Sequence, residues 1–102
     1  MPRKDAPSYS LKKIKSVFNS PYNLNMTYSA SQGAAALNFN DQDVVDAIQA
    51  LTTKDFYKSM PPVSINFTAW QDVYKSTFRG IKLYIKFQIN DDGEAVVSFK
   101  EQ

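Results

Sequence analysis

The chain has 102 residues, 43% hydrophobic and 22% charged, with a net charge of +2, a composition suited to one globular domain with a modest core. It lacks cysteine and histidine, which excludes disulfides, thiolate chemistry, a histidine-based triad and a zinc site. No apolar run is long enough to span a bilayer and the N-terminus carries no secretion-signal pattern, so a cytoplasmic protein is expected.

Residues 1–9, with Pro2 and Pro7 and no periodicity, read as a flexible lead-in to a single domain spanning 1–102. Ser10 is placed to cap a first helix. Its Leu11, Ile14, Val17 and Phe18 share one face, Lys12, Lys13 and Lys15 face solvent, and Asn19-Ser20-Pro21 ends it. Tyr22 to Met26 suits a short strand. Thr27 or Ser29 then caps an alanine-rich helix over 30–37, although Gly33 weakens it. The third helix is better marked: Asn40 caps it, Asp43 completes a short relative of the capping box, and Val44, Ala47, Ile48 and Leu51 recur at helical spacing. Asp41, Asp43 and Asp46 are acids at a helix start, and they form no metal-binding carboxylate pair.

From Asp55 onward the pattern is that of strands. Phe56 to Met60 is short and stops at Pro61-Pro62. Thr68 to Lys75 alternates, with Trp70, Asp72 and Tyr74 opposite Ala69, Gln71, Val73 and Lys75. Ile81 to Ile89 alternates strictly, with Ile81, Leu83, Ile85, Phe87 and Ile89 on an apolar face and Lys82, Tyr84, Lys86 and Gln88 on a wet one. A last strand covers 94–101. Helices first and consecutive strands after indicate an α+β fold, an antiparallel sheet packed with about three N-terminal helices.

The final hairpin fixes a register. Between Asn90 and Glu94, Asp91-Asp92-Gly93 suits a three-residue loop with Gly93 in the left-handed conformation. Asn90 then pairs with Glu94, Phe87 with Val97, Ile85 with Phe99, Lys86 with Ser98 and Tyr84 with Lys100. A four-residue loop would turn Lys100 onto the apolar face. Directly opposed Cβ atoms lie about 4.5–5.5 Å apart, so Tyr84 and Lys100 meet on the wet side. Lysines interleaved with tyrosines can hold phosphates and stack bases. The plainer alternative is a solvated face whose lysines discourage edge-to-edge pairing. Charge also runs in blocks. Residues 1–20 and 56–90 are basic, whereas 41–55 and 91–102 are acidic, a distribution that suits a polyanionic partner.

Four strings then carry a family likeness: Asp55-Phe56-Tyr57-Lys58-Ser59-Met60, Trp70-Gln71-Asp72-Val73-Tyr74, Leu83-Tyr84-Ile85-Lys86 and Val97-Ser98-Phe99-Lys100-Glu101. In this order and spacing they resemble the MqsR (motility quorum-sensing regulator) toxin family over about the last half of the chain. The resemblance implies a RelE-like fold and the toxin of a type II toxin–antitoxin system. It also implies an endoribonuclease that cleaves mRNA and is held in check by a cognate antitoxin protein. The family's active-site residues fall on Lys58, Gln71, Tyr84 and Lys100. The sequence departs from the family at Tyr74-Lys75-Ser76-Thr77-Phe78-Arg79, where the family is more basic, and in a slightly longer last hairpin.

Such a set can cut RNA without a metal or cofactor by using the substrate's own 2′-hydroxyl, given a base, an acid and an anion clamp. Lys58 and Lys100 are expected to hold the phosphate, and crowding of ammoniums to lower at least one lysine pKa. Tyr84 is expected to protonate the leaving oxygen, or to accept the 2′-proton with its pKa depressed by Lys100. Gln71 would orient the phosphate or a base edge. Tyr57, Trp70 and Tyr74 are candidates for base stacking, and Lys75, Arg79 and Lys86 for phosphate contacts. Assignment of acid and base between lysine and tyrosine stays open, as does dependence on the ribosome. A non-catalytic RNA- or protein-binding module of the same fold is the alternative reading.

Overall fold

The structure is a computed structural model, and it describes residues 6–62, 69–90 and 93–102. Ser10 caps helix α1 (Leu11–Val17) by accepting a hydrogen bond from the Lys13 N–H. The Tyr22–Met26 stretch does not form the expected strand. Pro21–Asn23 is a 3-10 turn capped by Ser20, and Met26 alone makes a parallel bridge to Val97. A proline at the first helical position with a serine before it favours that turn over an extended chain. Thr27 is the cap of α2 (Tyr28–Ala36), accepting from the Ala30 N–H. Asn40 and Asp43 close a reciprocal capping box at the start of α3 (Asp41–Gln49).

The strands β1 (Phe56–Met60), β2 (Gln71–Phe78), β3 (Ile81–Ile89) and β4 (Ala95–Glu101) form an antiparallel sheet in the order β1-β2-β3-β4. Strand β2 begins at Gln71, and Thr68 lies outside the described residues. Arg79 (φ 54°) and Gly80 (φ 78°) make the tight turn between Phe78 and Ile81, as a two-residue hairpin requires. At the β3–β4 turn the Gly93 N–H donates to the Asn90 carbonyl and the Asn90 N–H to the Glu94 carbonyl, each at 2.8 Å. Tyr84 is paired with Lys100, Ile85 with Phe99 and Phe87 with Val97, the register read from the turn.

Ile14 and Phe18 of the α1 region, Ala30 and Ala34 of α2, and Val44, Ala47 and Ile48 of α3 bury against Tyr74, Leu83, Ile85, Phe87, Val97 and Phe99 of the sheet. The apolar face of the β3–β4 hairpin is therefore the floor of the core. Helix α2 lies along β4 so closely that a Cβ at Gly33 would collide with the Phe99 carbonyl oxygen and stand 3.2 Å from the Lys100 Cα. The glycine that weakens this helix is what lets it approach the sheet. Within the stretch read as a flexible lead-in, Ser8 and Tyr9 are tied down. Their N–H groups donate to the carboxylate of Asp72 at 2.9 and 2.8 Å, and Asp72 also accepts from Ser59 Oγ at 2.7 Å. Residues 1–5 lie outside the described residues.

Candidate functional site

The registers can be read as rows across the face turned away from the core. Lys58, Val73, Lys86 and Ser98 make one row, and Lys75, Tyr84 and Lys100 the next. On the other side of the first row, Met60 pairs with Gln71, and the Gln71 amide donates to Gln88 Oε1 at 3.0 Å. Lys82 extends the pattern opposite Thr77. Among the described residues, this face of the strands carries Lys58, Lys75, Lys82, Lys86 and Lys100 and no carboxylate.

A break in the β1–β2 register between Phe56 and Lys58 marks a bulge at Tyr57. Bulges re-aim side chains, and the Tyr57 ring lies 3.9 Å from Lys75 Nζ and 5.3 Å from Lys58 Nζ. Lys75 Nζ is 6.0 Å from the centre of the Tyr84 ring, and Lys100 Nζ is 5.2 Å from it. Cation and ring thus alternate across all four strands as Tyr57, Lys75, Tyr84 and Lys100. A cleft of about 210 Å³ opens beside this ladder, lined by Ser29, Tyr84, Lys86, Ser98, Phe99 and Lys100.

Not every candidate lies here. Tyr74 is a core residue, 1% exposed, with its ring edge-on to Phe56 and Phe87, so it is not available to stack on a base. The alternation of β2 had already placed it on the opposite face from Gln71. Arg79 sits in the β2–β3 turn, where its guanidinium pairs with Asp43 at 2.7 Å and Asp46 at 3.5 Å. It anchors that turn to α3 and holds the Asp43 carboxyl below the usual carboxylate range. Trp70 is half-buried just before β2, and its carbonyl accepts a 2.6 Å bond from the Tyr9 hydroxyl.

The electrostatics differ from expectation at Tyr84 and meet it in part at Lys86. Burial pushes the Tyr84 phenol up, with a smaller contribution from Tyr57, which favours the protonated phenol over the phenolate expected from Lys100. The lysine brought down is Lys86, chiefly by burial and then by Lys100 and Lys58. Desolvation disfavours the charged form of either group, and thus moves the two in opposite directions.

With this arrangement the chain matches the family described as motility quorum-sensing regulator, toxin of MqsA, over residues 6–101. It belongs to that family. Escherichia coli (strain K12) has a relative, the mRNA interferase toxin MqsR, 33% identical over 99 residues that cover 97% of this chain and 98% of the relative. Of the residues to which the MqsR-family resemblance pointed, Tyr84 and Lys100 are direct cross-strand partners. Lys58 and Gln71 lie on the same face in adjoining rows. Ser98 and Ser29 line the same cleft but were not singled out from the sequence. The register did place Ser98 opposite Lys86, whereas Ser29 arrives through the packing of α2 on β4, which no local pattern announces.

Proposed function

We propose that this chain is the toxin of a type II toxin–antitoxin pair, an endoribonuclease that cleaves single-stranded mRNA in the cytoplasm. The residues of this activity lie within one domain, 1–102. The observation behind this reading is the row of Tyr84 and Lys100 in a lysine-lined face with no carboxylate among the described residues of its strands, in a chain whose family is described as the toxin of MqsA. RNA brings its own nucleophile, so the protein has to supply only positive charge and proton transfer.

In this reading Lys58 and Lys100 hold the non-bridging oxygens of the scissile phosphate and stabilise the charge that builds in the transition state. Tyr84, with its phenol kept protonated, gives its proton to the departing 5′-oxygen. Gln71, held by Gln88, presents an amide to the phosphate or to a base edge. Tyr57 offers a ring to an unstacked base, with Lys75 held against it. Lysines do the work that a metal ion would otherwise do, so no metal or cofactor is required. A cognate antitoxin protein restrains the activity in the cell.

Purified protein incubated with a defined RNA, the same RNA with one 2′-deoxynucleotide at the cleaved position, and an all-DNA copy tests the reaction. Cleavage of the RNA alone, in the presence of a chelator, leaving a 2′,3′-cyclic phosphate and a 5′-hydroxyl is expected. Cutting of DNA, or an absolute need for added magnesium, would contradict it.

A further inference from the structure

Lys58 stands in β1, Gln71 in β2, Tyr84 in β3 and Lys100 in β4. In the cross-strand rows these four surround the middle of the row formed by Lys58, Val73, Lys86 and Ser98. Val73 is apolar and fully buried, which leaves Lys86 as the ionisable side chain at the centre. It shares its cleft with Tyr84, Ser98 and Lys100.

We propose that Lys86 is the general base of the cleavage reaction, its neutral amine taking the 2′-hydroxyl proton while Tyr84 protonates the leaving group. This rests on the ribonuclease reading above and assigns a role within it. The 2′-oxygen, as its proton passes to Lys86 Nζ, forms a bond to phosphorus. The bond from phosphorus to the 5′-oxygen breaks, and that oxygen takes the proton of the Tyr84 hydroxyl. Solvent then removes the proton from Lys86 and returns one to Tyr84, so the enzyme is restored.

The geometry suits an in-line displacement. Tyr84 and Lys86 are two residues apart on one strand, so their side chains leave the same face about 6.6 Å apart. A phosphate between them has one group on its attacking side and the other on its leaving side. The charged surroundings of Lys86 are Lys58 from β1, Lys75 from β2, Lys82 from its own strand and Lys100 from β4, while α2 contributes only the neutral Ser29 to the cleft. No carboxylate among the described residues of this face stabilises its ammonium. Burial first, and then the charges of Lys100 and Lys58, lower its pKa, the direction that favours the neutral amine a base needs. A pair of groups in one site with pKa values displaced in opposite directions is the usual mark of a base and an acid.

The test uses three substrates: a cleavable RNA, the same RNA with a 2′-deoxynucleotide at the scissile position to measure binding, and one with sulfur in place of the 5′-bridging oxygen. The sulfur leaves as a thiolate and needs no acid. Lys86→Arg keeps the positive charge but cannot give up a proton at neutral pH. The expected result is cleavage slower by about 100-fold or more, with binding of the 2′-deoxy RNA close to wild type. Sulfur should restore Tyr84→Phe but not Lys86→Arg. The wild-type rate should also rise with pH to an inflection that Lys86→Arg lacks. Near-wild-type cleavage by Lys86→Arg overturns the assignment, and so does rescue of that variant by sulfur or loss of its binding to the 2′-deoxy RNA. Lys86→Gln, a smaller side chain, gives the same decision if arginine distorts the half-buried cleft. In each of those cases the wild type still cuts RNA and the ribonuclease reading stands. A wild type that cuts none of the RNAs removes both.

Discussion

Tyr84 and Lys100 oppose each other on neighbouring strands, yet they are expected to fail in different ways. Tyr84→Phe removes only the hydroxyl, so it should slow cleavage by about 10²- to 10⁴-fold and leave the urea midpoint where it is. Lys100 is exposed, and Lys100→Ala should remove most of the activity while changing stability by less than about 0.5 kcal/mol. The tyrosines separate likewise. Tyr57 is 41% exposed against its lysines, so Tyr57→Ala should weaken binding of a 2′-deoxy-blocked RNA by about 1–3 kcal/mol. Equal affinity in a direct titration would exclude Tyr57 as a stacking platform. No such loss is expected from Tyr74→Phe, because that ring is inside the core.

At the scale of elements, α2 and β4 depend on each other. Gly33→Ala places a methyl group against the Phe99 carbonyl and beside the Lys100 backbone. It should cost about 1–3 kcal/mol in stability and also reduce cleavage, because the strand that must give way is the one carrying Lys100. A denaturant titration and a rate measurement on the same sample would check both halves. The hairpin was legible in the sequence because turn chemistry and strand alternation are local and agree with each other. Gly93 fixed the loop length, and the apolar Phe87, Val97, Ile85 and Phe99 fixed the facing side. The caps at Ser10 and Asn40 were legible for the same reason. What local pattern could not supply was contact between distant segments. Tyr22 to Met26 looked extended, but Ser20 and Pro21 close a turn there and only its end, Asn25 and Met26, reaches β4. Arg79 resembled a phosphate ligand until α3 brought Asp43 and Asp46 beside it.

For the molecule as a whole, the buried polar groups set the limits of stability. Tyr74 has its phenol pushed up to about 12, first by burial and then by the charges of Asp72 and Asp55. A folded-state pKa above the ordinary value of about 10 means that Tyr74 favours the fold below pH 10 and that this contribution is lost as pH rises toward 12. The urea midpoint should fall across that range, and fall less in Tyr74→Phe. Two residues before Tyr74 on the same face of β2, Asp72 gathers Ser8, Tyr9 and Ser59. Asp72→Asn would turn an amide N–H toward donors and should loosen the attachment of residues 8–9, seen as faster hydrogen exchange there.

A surface face with Lys58, Lys75, Lys82, Lys86 and Lys100 and no carboxylate on the described strands also sets how the protein responds to salt. Each phosphate it neutralises frees a condensed counterion from the single strand, so the logarithm of affinity falls by about 0.7 per contact for each tenfold rise in salt. If Lys75 and Lys82 each meet a phosphate beside the scissile one held by Lys58 and Lys100, the slope approaches about −2.1, and replacing Lys75 or Lys82 with alanine should make it shallower by about 0.7. Capture of messages would then be governed by ionic strength, while the choice of cleavage point would rest on contacts that salt does not screen, such as stacking on Tyr57 and the amide of Gln71.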